Sequence, residues 1–478
     1  MRVLIAELYS SEDEAGLANN SKTTRALKTA TGNVRSKNGI GYSPSPRHSK
    51  YEISYDEALK LILACETSSK LAKRQRKELS AIVSHWLQAT DAAPLLLDKT
   101  YHAKWLTLIR SHCEMRNQSL GSALPAPSHK PHSIRIDYSG VPFPPPAEIE
   151  FNFIDLFAGI GGFRIALQEL GGKCLFSSEW DRHATETYYR NYGEIPFGDI
   201  TKLTKLLVGK GRLRNVIPPH DILCGGFPCQ PFSQAGLQRG FDDARGTLFF
   251  DILTITRALK PKVLLLENVK RLKTHDGGNT FKTICCSLKE LGYKVYSKVL
   301  KAYDYGVPQN RERIFIVAFS EPLQFNWPKP TLKPDLKVGE ILESDPPSKF
   351  TISDAMWHGH NRRRSEHRRK GNGFGFSLFT PTSKYVNTIS ARYWKDGSEV
   401  LIDQPGNNPR VLTPRECARM QGFPDVFLHD TSNRYAYQQF GNSVAVPVVH
   451  SVATAILSAL KNRKPVHNRM DPLDAVIE

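Results

Sequence analysis

The sequence has no Cys-x-x-Cys pair, no obvious apolar run of membrane-spanning length and no surplus of acid. Its eight cysteines, at 65, 113, 174, 224, 229, 285, 286 and 417, are scattered, which argues for a reducing compartment and against structural zinc. Cys224 and Cys229 lack a second pair to complete four ligands, so no metal is expected. Adjacent Cys285 and Cys286 read as packing residues on a helix. Without a long apolar run, no membrane partner is expected. Residues 1–8 contain Glu7 and no apolar core, so they do not read as a signal peptide. A third glycine is also missing: Gly159-x-Gly161 is followed by Arg164 where a dinucleotide fingerprint has its last glycine, which argues against a nicotinamide enzyme.

What is present is base. The chain has 478 residues, with 65 Lys+Arg against 47 Asp+Glu, a formal charge of +18 and an isoelectric point near 9.5. An excess of this size favours a polyanionic partner. Hydrophobic content of 40% and charged content of 23% suit a soluble protein with a sizeable core. The length allows about three domains.

We divide the chain into five parts. Residues 1–148 form an N-terminal extension: a loosely ordered start to residue 50, helical periodicity over 51–110, then a Pro-rich linker through Pro125, Pro127, Pro131 and Pro142–Pro146. Residues 149–322 alternate strands (151–156, 173–176, 221–224, 262–266, 294–300 and 313–319) with helical segments. This is the pattern of an α/β, doubly wound, mostly parallel sheet. Residues 323–408 read as an irregular, loop-rich insertion. Residues 409–465 return to helical pattern at 414–421 and 446–460, and 466–478 are a tail.

Chemistry clusters at the strand ends, where open α/β sheets place ligands. After the first strand, Asp155-Leu-Phe-Ala-Gly-Ile-Gly161-Gly-Phe163 is a glycine turn opening a helix, which lets a ligand approach backbone N–H groups. The second strand ends at Glu179-Trp180, an acid suited to ribose hydroxyls beside an indole that can stack on adenine. Gly198-Asp199-Ile200 can meet the adenine amino group. The set suits an adenosine ligand without pyrophosphate, and S-adenosylmethionine is the expected cofactor. Cys224-Gly-Gly-Phe-Pro-Cys229-Gln-Pro-Phe-Ser233 follows the next strand, and Pro228 restricts the backbone that presents the Cys229 thiol. Glu267-Asn268-Val269 ends the fourth strand, and a partly desolvated carboxyl there can donate a proton. In Gln309-Asn-Arg311-Glu-Arg313 the two arginines point the same way on an extended segment and can hold a carbonyl or carboxylate in plane.

These stretches, with Leu-Thr-Pro-Arg-Glu-Cys-Ala-Arg-x-Gln-Gly-Phe-Pro at 412–424 and Gln-x-Phe-Gly-Asn-Ser-Val at 438–444, resemble the ordered motifs of DNA (cytosine-5) methyltransferases, bacterial restriction-modification or Dcm type. The likeness runs from 151 to about 460. It implies an S-adenosylmethionine-dependent methyltransferase fold, a target-recognition domain at 323–408 and methyl transfer to C5 of a flipped-out cytosine. Cys229 would add to C6, Glu267 would protonate N3, and Arg311 and Arg313 would hold O2 and Glu267. Loss of the C5 proton to water would then expel Cys229. Phe157, Gly159, Gly161, Glu179, Trp180, Asp199, Ile200, Pro228, Leu248, Asn442, Ser443 and Val444 would bind the cofactor. The 233–245 stretch resembles the family's catalytic loop, with Ser233, Gln234 and Arg239 on DNA.

The basic run Arg362, Arg363, Arg364, Arg368, Arg369 and Lys370 would neutralise phosphates, with Arg392 also on DNA. Residues 371–376 and 388–402 resemble the recognition domain of Dcm-type enzymes, which read CCWGG. The expected partner is double-stranded DNA, met by a monomer in the bacterial cytoplasm near the nucleoid. A cognate restriction endonuclease would act in the same system without a stable complex. Two rivals remain open: a tRNA cytosine-5 methyltransferase on the same core, and a DNA-binding regulator acting through residues 1–110. If 1–110 is an appendage, its deletion should spare the chemistry.

Overall fold

Tyr51–Ser54 (β1) pairs in parallel with Ile134–Asp137 (β2), so the chain entering the first helices and the chain leaving the Pro-rich segment are joined. In this computed structural model the described residues are 51–67, 73–88, 99–119, 134–208, 216–228, 248–331, 335–373 and 375–462. Cys229, Ser233, Gln234, Arg239, the 233–245 loop, the start at 1–50, Pro125–Pro131 and the 466–478 tail lie outside them. Three helices follow β1, at Tyr55–Thr67, Lys73–Gln88 and Lys99–Ser119. The helical region thus runs past residue 110, and the linker expected through Pro142–Pro146 contains β2.

The next strands are β3 (Phe151–Leu156), β4 (Gly172–Ser178), β5 (Ile222–Gly226), β6 (Val263–Val269), β7 (Lys294–Lys301), β8 (Gln309–Asn310) and β9 (Glu312–Phe319). All six strands expected over 151–319 form, with β6 reaching Val269 rather than Leu266, and they make one sheet in the order β4-β3-β5-β6-β9-β7. The first four are mutually parallel, and β9 runs antiparallel between β6 and β7. Val-Leu-Leu-Leu at 263–266 is apolar at every position because both faces of the sheet are covered. Leu264 and Leu266 enter the core shared with helices Ile200–Val208, Leu248–Leu259 and Asn279–Glu290. Val263 and Leu265 face the opposite core, which holds helices Gly162–Gln168 and Val446–Asn462.

The N-terminal helices are not an appendage. Ile62, Ile82, Trp86 and Trp105 are buried in the same core as Ile154, Phe176 and Phe197. Tyr138 donates to the Leu87 carbonyl at 2.7 Å.

Residues 323–408 also depart from expectation. The basic run stands on a 16-residue helix, Asp354–Arg369, whose first turn is capped by the Ser353 hydroxyl accepting from Met356 N–H. With apolar spacing so sparse, the sequence reads as loop. Short strands at Leu378–Phe379, Leu401–Ile402 and Arg410–Val411 pair into a three-stranded sheet. Val386–Asn387 pairs with β8, tying this part to the main body.

The return segment begins where Thr413-Pro-Arg-Glu416 forms a capping box at helix Pro414–Met420. Glu416 also takes both ends of the Arg410 guanidinium at 2.8 Å. The 438–444 motif closes a helix missed in the sequence, Asn433–Asn442. One expectation is corrected here: Asn433–Asn462 does have the length and hydropathy of a membrane crossing. The chain breaks at 443–445 into two helices, and Val446, Val449, Val452 and Ile456 are buried against the sheet, as in a soluble core.

Gly441 sits where a Cβ would overlap the Ser390 carbonyl. Backbone cannot yield as a side chain can, so Gly441→Ala should lower the unfolding free energy by about 2–3 kcal/mol. Urea unfolding of the two proteins would measure it, and an unchanged midpoint would contradict the close approach.

Candidate active site

The ends of β3, β4, β5 and β6 open on one cavity of about 980 Å³. Its walls are built locally. Gly161 holds φ +84° as the N-cap of helix Gly162–Gln168, a left-handed conformation that glycine adopts without strain. The chain therefore turns sharply off β3 and leaves the N–H of Gly159 facing β4. Glu179, at the end of β4, answers it: Oε2 accepts from Gly159 N–H at 2.8 Å and Oε1 from Asp181 N–H at 2.7 Å. Burial pushes the Glu179 carboxyl up, and those two N–H groups oppose the rise. Trp180 beside it is 80% exposed, a free indole face at the rim.

Asp199 caps the helix that follows, its Oδ1 accepting from the Thr201 N–H and hydroxyl at 3.0 and 2.8 Å. Phe157, Gly159, Glu179, Trp180, Asp199, Ile200, Pro228, Leu248, Asn442, Ser443 and Val444 all line the cavity. Gly161 supports the turn beneath without lining it. The volume, the backbone-lined turn and the acid at the strand end fit a nucleoside-sized group.

Glu267 closes the other end. Its partner across the sheet is Gly226, and a Cβ added there would lie 3.6 Å from Glu267 Oε2. The carboxylate therefore stands beside the strand that leads through Phe227 and Pro228 toward Cys229. Asn268 Nδ2 donates to the Phe227 carbonyl at 2.9 Å, fixing the departure of that strand. Nothing in the sequence around Asn268 marks this role, because its partner is 41 residues away. Burial raises the Glu267 carboxyl, while Arg313 and then Arg311 oppose the rise.

The two arginines share the cavity but not their partners. Arg313 Nε lies 3.2 Å from Glu267 Oε1. Arg311 donates instead to the carbonyls of Ser443 (2.6 Å), Gly441 (3.2 Å) and Ile389 (3.5 Å). It ties the return segment and the 323–408 part to the sheet, so of the two arginines expected to hold O2 and Glu267, Arg313 is the one paired with the carboxylate. Burial lowers the Arg311 guanidinium to about 9.

Cys224, in the middle of β5, has the structural fate of a free cysteine. It is fully buried, its Sγ donates to the Ile154 carbonyl at 3.2 Å, and burial pushes its thiol well up. Residues the sequence left unassigned also reach the cavity. Tyr435 stacks on His183 with centroids 3.4 Å apart, and both line it together with Gln438 and Gln439. Tyr435 stands only three residues before the quoted 438–444 stretch.

On helix Asp354–Arg369 the bases differ in state. Arg363 is paired with Asp396 at 2.8 Å, Arg364 lies over the Phe376 ring at 4.8 Å, and Arg362 approaches Glu366 at 4.0 Å. Arg364 and Arg368 share a shallow cavity of about 440 Å³ with Gly371–Gly373. Arg369, Lys370 and Arg392 are exposed.

Comparison with known proteins follows the same boundaries. Residues 151–458 match the model of the C-5 cytosine-specific DNA methylases. The Type II methyltransferase M.NlaX of Neisseria lactamica is 54% identical over 321 residues, which is 66% of this chain and 99% of that protein. The Type II methyltransferase M1.ScrFI of Lactococcus lactis subsp. cremoris is 52% identical over 329 residues, 68% of this chain and 82% of that one. The crystal structure of S. pombe Dnmt2 methyltransferase superposes with a TM-score of 0.54 at 20% identity, over 65% of this chain and 99% of that one, a likeness of fold.

Lysine at 311 would keep a charge and lose the fork that reaches three carbonyls. Arg311→Lys should therefore cost about 2 kcal/mol of stability, and Arg313→Lys, whose partners are the Glu267 carboxylate and the adjacent Glu312 carbonyl, distinctly less. Denaturant midpoints of the two variants compare them directly.

Proposed function

Starting from the fact that this chain belongs to the C-5 cytosine-specific DNA methylase family and is a DNA cytosine-5 methyltransferase, we propose that it methylates one short duplex site as a type II modification enzyme. The observation that carries the reading is Glu267. It is a buried carboxyl with its proton affinity raised, paired to Arg313, beside the strand that delivers Cys229.

In this reading the cytosine turns out of the duplex into the cavity, at a cost of about a few kcal/mol. The Cys229 thiolate adds to C6, and Glu267 delivers its proton to N3 so that no negative charge accumulates on the ring. Arg313 orients the Glu267 carboxyl and meets the O2 edge. Arg311 holds Gly441 and Ser443 so that Asn442, Ser443 and Val444 close the cavity. When bound, S-adenosylmethionine would supply an electrophilic methyl group to C5 and leave as S-adenosylhomocysteine. Glu179 would hold its ribose, Trp180 its adenine, and Gly159 and Phe157 would line its path. Loss of the C5 proton to water and return of the N3 proton to Glu267 then restore the ring and release the Cys229 thiolate.

Residues 323–408 are the target-recognition domain in this account. Arg362, Arg364, Arg368, Arg369, Lys370 and Arg392 contact DNA, while Arg363, paired with Asp396, braces the helix. Ser233, Gln234 and Arg239 follow the flipped base. A GC-rich target of the CCWGG kind is our reading of the stretch at 388–402. A cognate restriction enzyme would be the counterpart in the cell, acting on the same site without a stable complex. The enzyme works as a cytoplasmic monomer.

The deciding experiment is labelled methyl transfer to unmethylated genomic DNA, followed by bisulfite sequencing. Cytosine-5 marks at one short motif, absent with Cys229→Ser, are expected; transfer to tRNA instead of DNA would overturn the reading. Glu267→Gln should lower kcat by about 10²–10⁴-fold. Because Glu267 works protonated and burial raises its pKa, the parent rate should fall as pH rises through that pKa. The Gln variant should lack that limb. Glu179→Ala should weaken cofactor binding about tenfold to a hundredfold, with calorimetry as the measure.

A further inference from the structure

We propose that the helix Lys73–Gln88, which precedes the family match, braces from behind the segments that wall the cofactor cavity, and that His85 on it is a positioning residue for S-adenosylmethionine binding. The inference rests on the reading of that cavity given above. Three polar side chains on one helix fasten three segments that lead into the cavity. The Ser84 hydroxyl accepts from Ile195 N–H at 3.0 Å, on the stretch that ends at Asp199. His85 Nε2 accepts from Ser177 N–H at 3.0 Å, on β4 two residues before Glu179, which follows the strand. Gln88 Oε1 accepts from Arg164 Nη2 at 2.6 Å, in the helix that begins at the glycine turn, and its amide donates to the Tyr192 carbonyl at 2.6 Å.

His85 has close partners at both ring nitrogens. Its Nδ1 lies 2.8 Å from the Ala81 carbonyl. Nε2 faces the Ser177 N–H at 3.0 Å and Glu194 Oε1 at 3.1 Å. The ring is fully enclosed, packed on Phe197 at 4.8 Å and Phe176 at 5.8 Å between centroids.

The need for this contact follows from the topology. β4 is an edge strand, and an edge strand presents backbone donors with no neighbour. The 197–199 stretch satisfies part of that edge, with Phe197 N–H donating to the Ser177 carbonyl at 2.9 Å and Glu179 N–H to the Phe197 carbonyl at 2.8 Å. His85 takes the remaining Ser177 donor. Both Glu179 and Asp199 thus stand on backbone held from behind by one helix, although neither side chain touches it.

The test uses the full-length protein and measures the Kd for S-adenosylmethionine by calorimetry, with steady-state KM and kcat beside it. His85→Phe keeps the ring and removes the acceptor. It should raise the cofactor Kd and KM about tenfold, while kcat at saturation stays within about twofold. His85→Gln restores an acceptor and should recover most of the affinity. Trp105→Phe, buried in the same helices with its Nε1 donating to Glu66, should lower the melting temperature and leave the cofactor Kd alone. Parental affinity in folded His85→Phe would overturn the proposal, as would an equal loss in Trp105→Phe. If His85→Phe does not fold, Ser84→Ala decides, with a smaller rise in the same Kd expected and no change overturning the idea. A parent protein that binds no cofactor would instead refute the cavity assignment, and this inference with it.

Discussion

The Glu194 carboxylate is the contact on which the walls of the cavity depend. It is wholly buried, 2.9 Å from Arg164 Nη1, and accepts from the Ser177 hydroxyl at 2.5 Å. Burial alone would push this carboxyl up, but Arg164 first, then His85 at 3.1 Å and the Ser177 hydroxyl, override it and hold the group at about 2. An isolated charge at such a place costs several kcal/mol, so the pair cannot separate cheaply. Arg164 belongs to the helix after the glycine turn, Ser177 to β4, and Glu194 to the segment that runs on to Asp199. Satisfying one charge therefore sets three walls in register. Arg164 reaches further, donating to Tyr188 at 3.0 Å and lying over the Tyr192 ring at 4.7 Å.

What could be read in the sequence divides along physical lines. Strands covered on both faces announce themselves as apolar-rich runs, so β3 (Phe-Asn-Phe-Ile-Asp-Leu) was legible to its end and β6 through its Val-Leu-Leu-Leu half. Glycine turns and the Thr413-Pro-Arg-Glu416 cap are local rules, and they too were visible. Helix Asp354–Arg369 was not, because its stability rests on a cap, on Trp357 and Arg364 against Phe376, and on the Arg363–Asp396 pair. None of these produces a hydrophobic period. Two-residue strands such as Val386–Asn387 exist only through a distant partner, and no local pattern marks them.

The candidate site was legible as residue types and illegible as assignments. Arg311 and Arg313 are two residues apart and look equivalent on an extended chain. Arg313 belongs to β9, where the register places it opposite Val269 at the end of β6, within reach of Glu267. Arg311 sits before that strand and turns to carbonyls 78 to 132 residues away in sequence. A motif reports that both arginines are needed, and only the tertiary fold shows that one meets a carboxylate while the other holds the return segment. Asn268 is a similar case, its partner lying 41 residues away.

The N-terminal helices carry this logic beyond the family boundary. A motif match beginning at Phe151 treats everything before it as an addition. Yet Ser84, His85 and Gln88 satisfy an amide of the 193–199 segment, an amide of β4, and both an arginine and a carbonyl beneath the glycine turn. All but the half-buried Ile195 amide are buried, and a buried donor left unpaired costs about 1–3 kcal/mol. Removal of the helices would expose apolar surface and, in the same act, strand polar groups under the cavity floor. The boundary at which resemblance starts is therefore not a boundary at which the fold can be cut. The motifs mark where the chemistry lies, whereas the protein that holds the chemistry in place begins earlier, at least by Tyr55, whose hydroxyl donates to the Gly193 carbonyl at 2.6 Å.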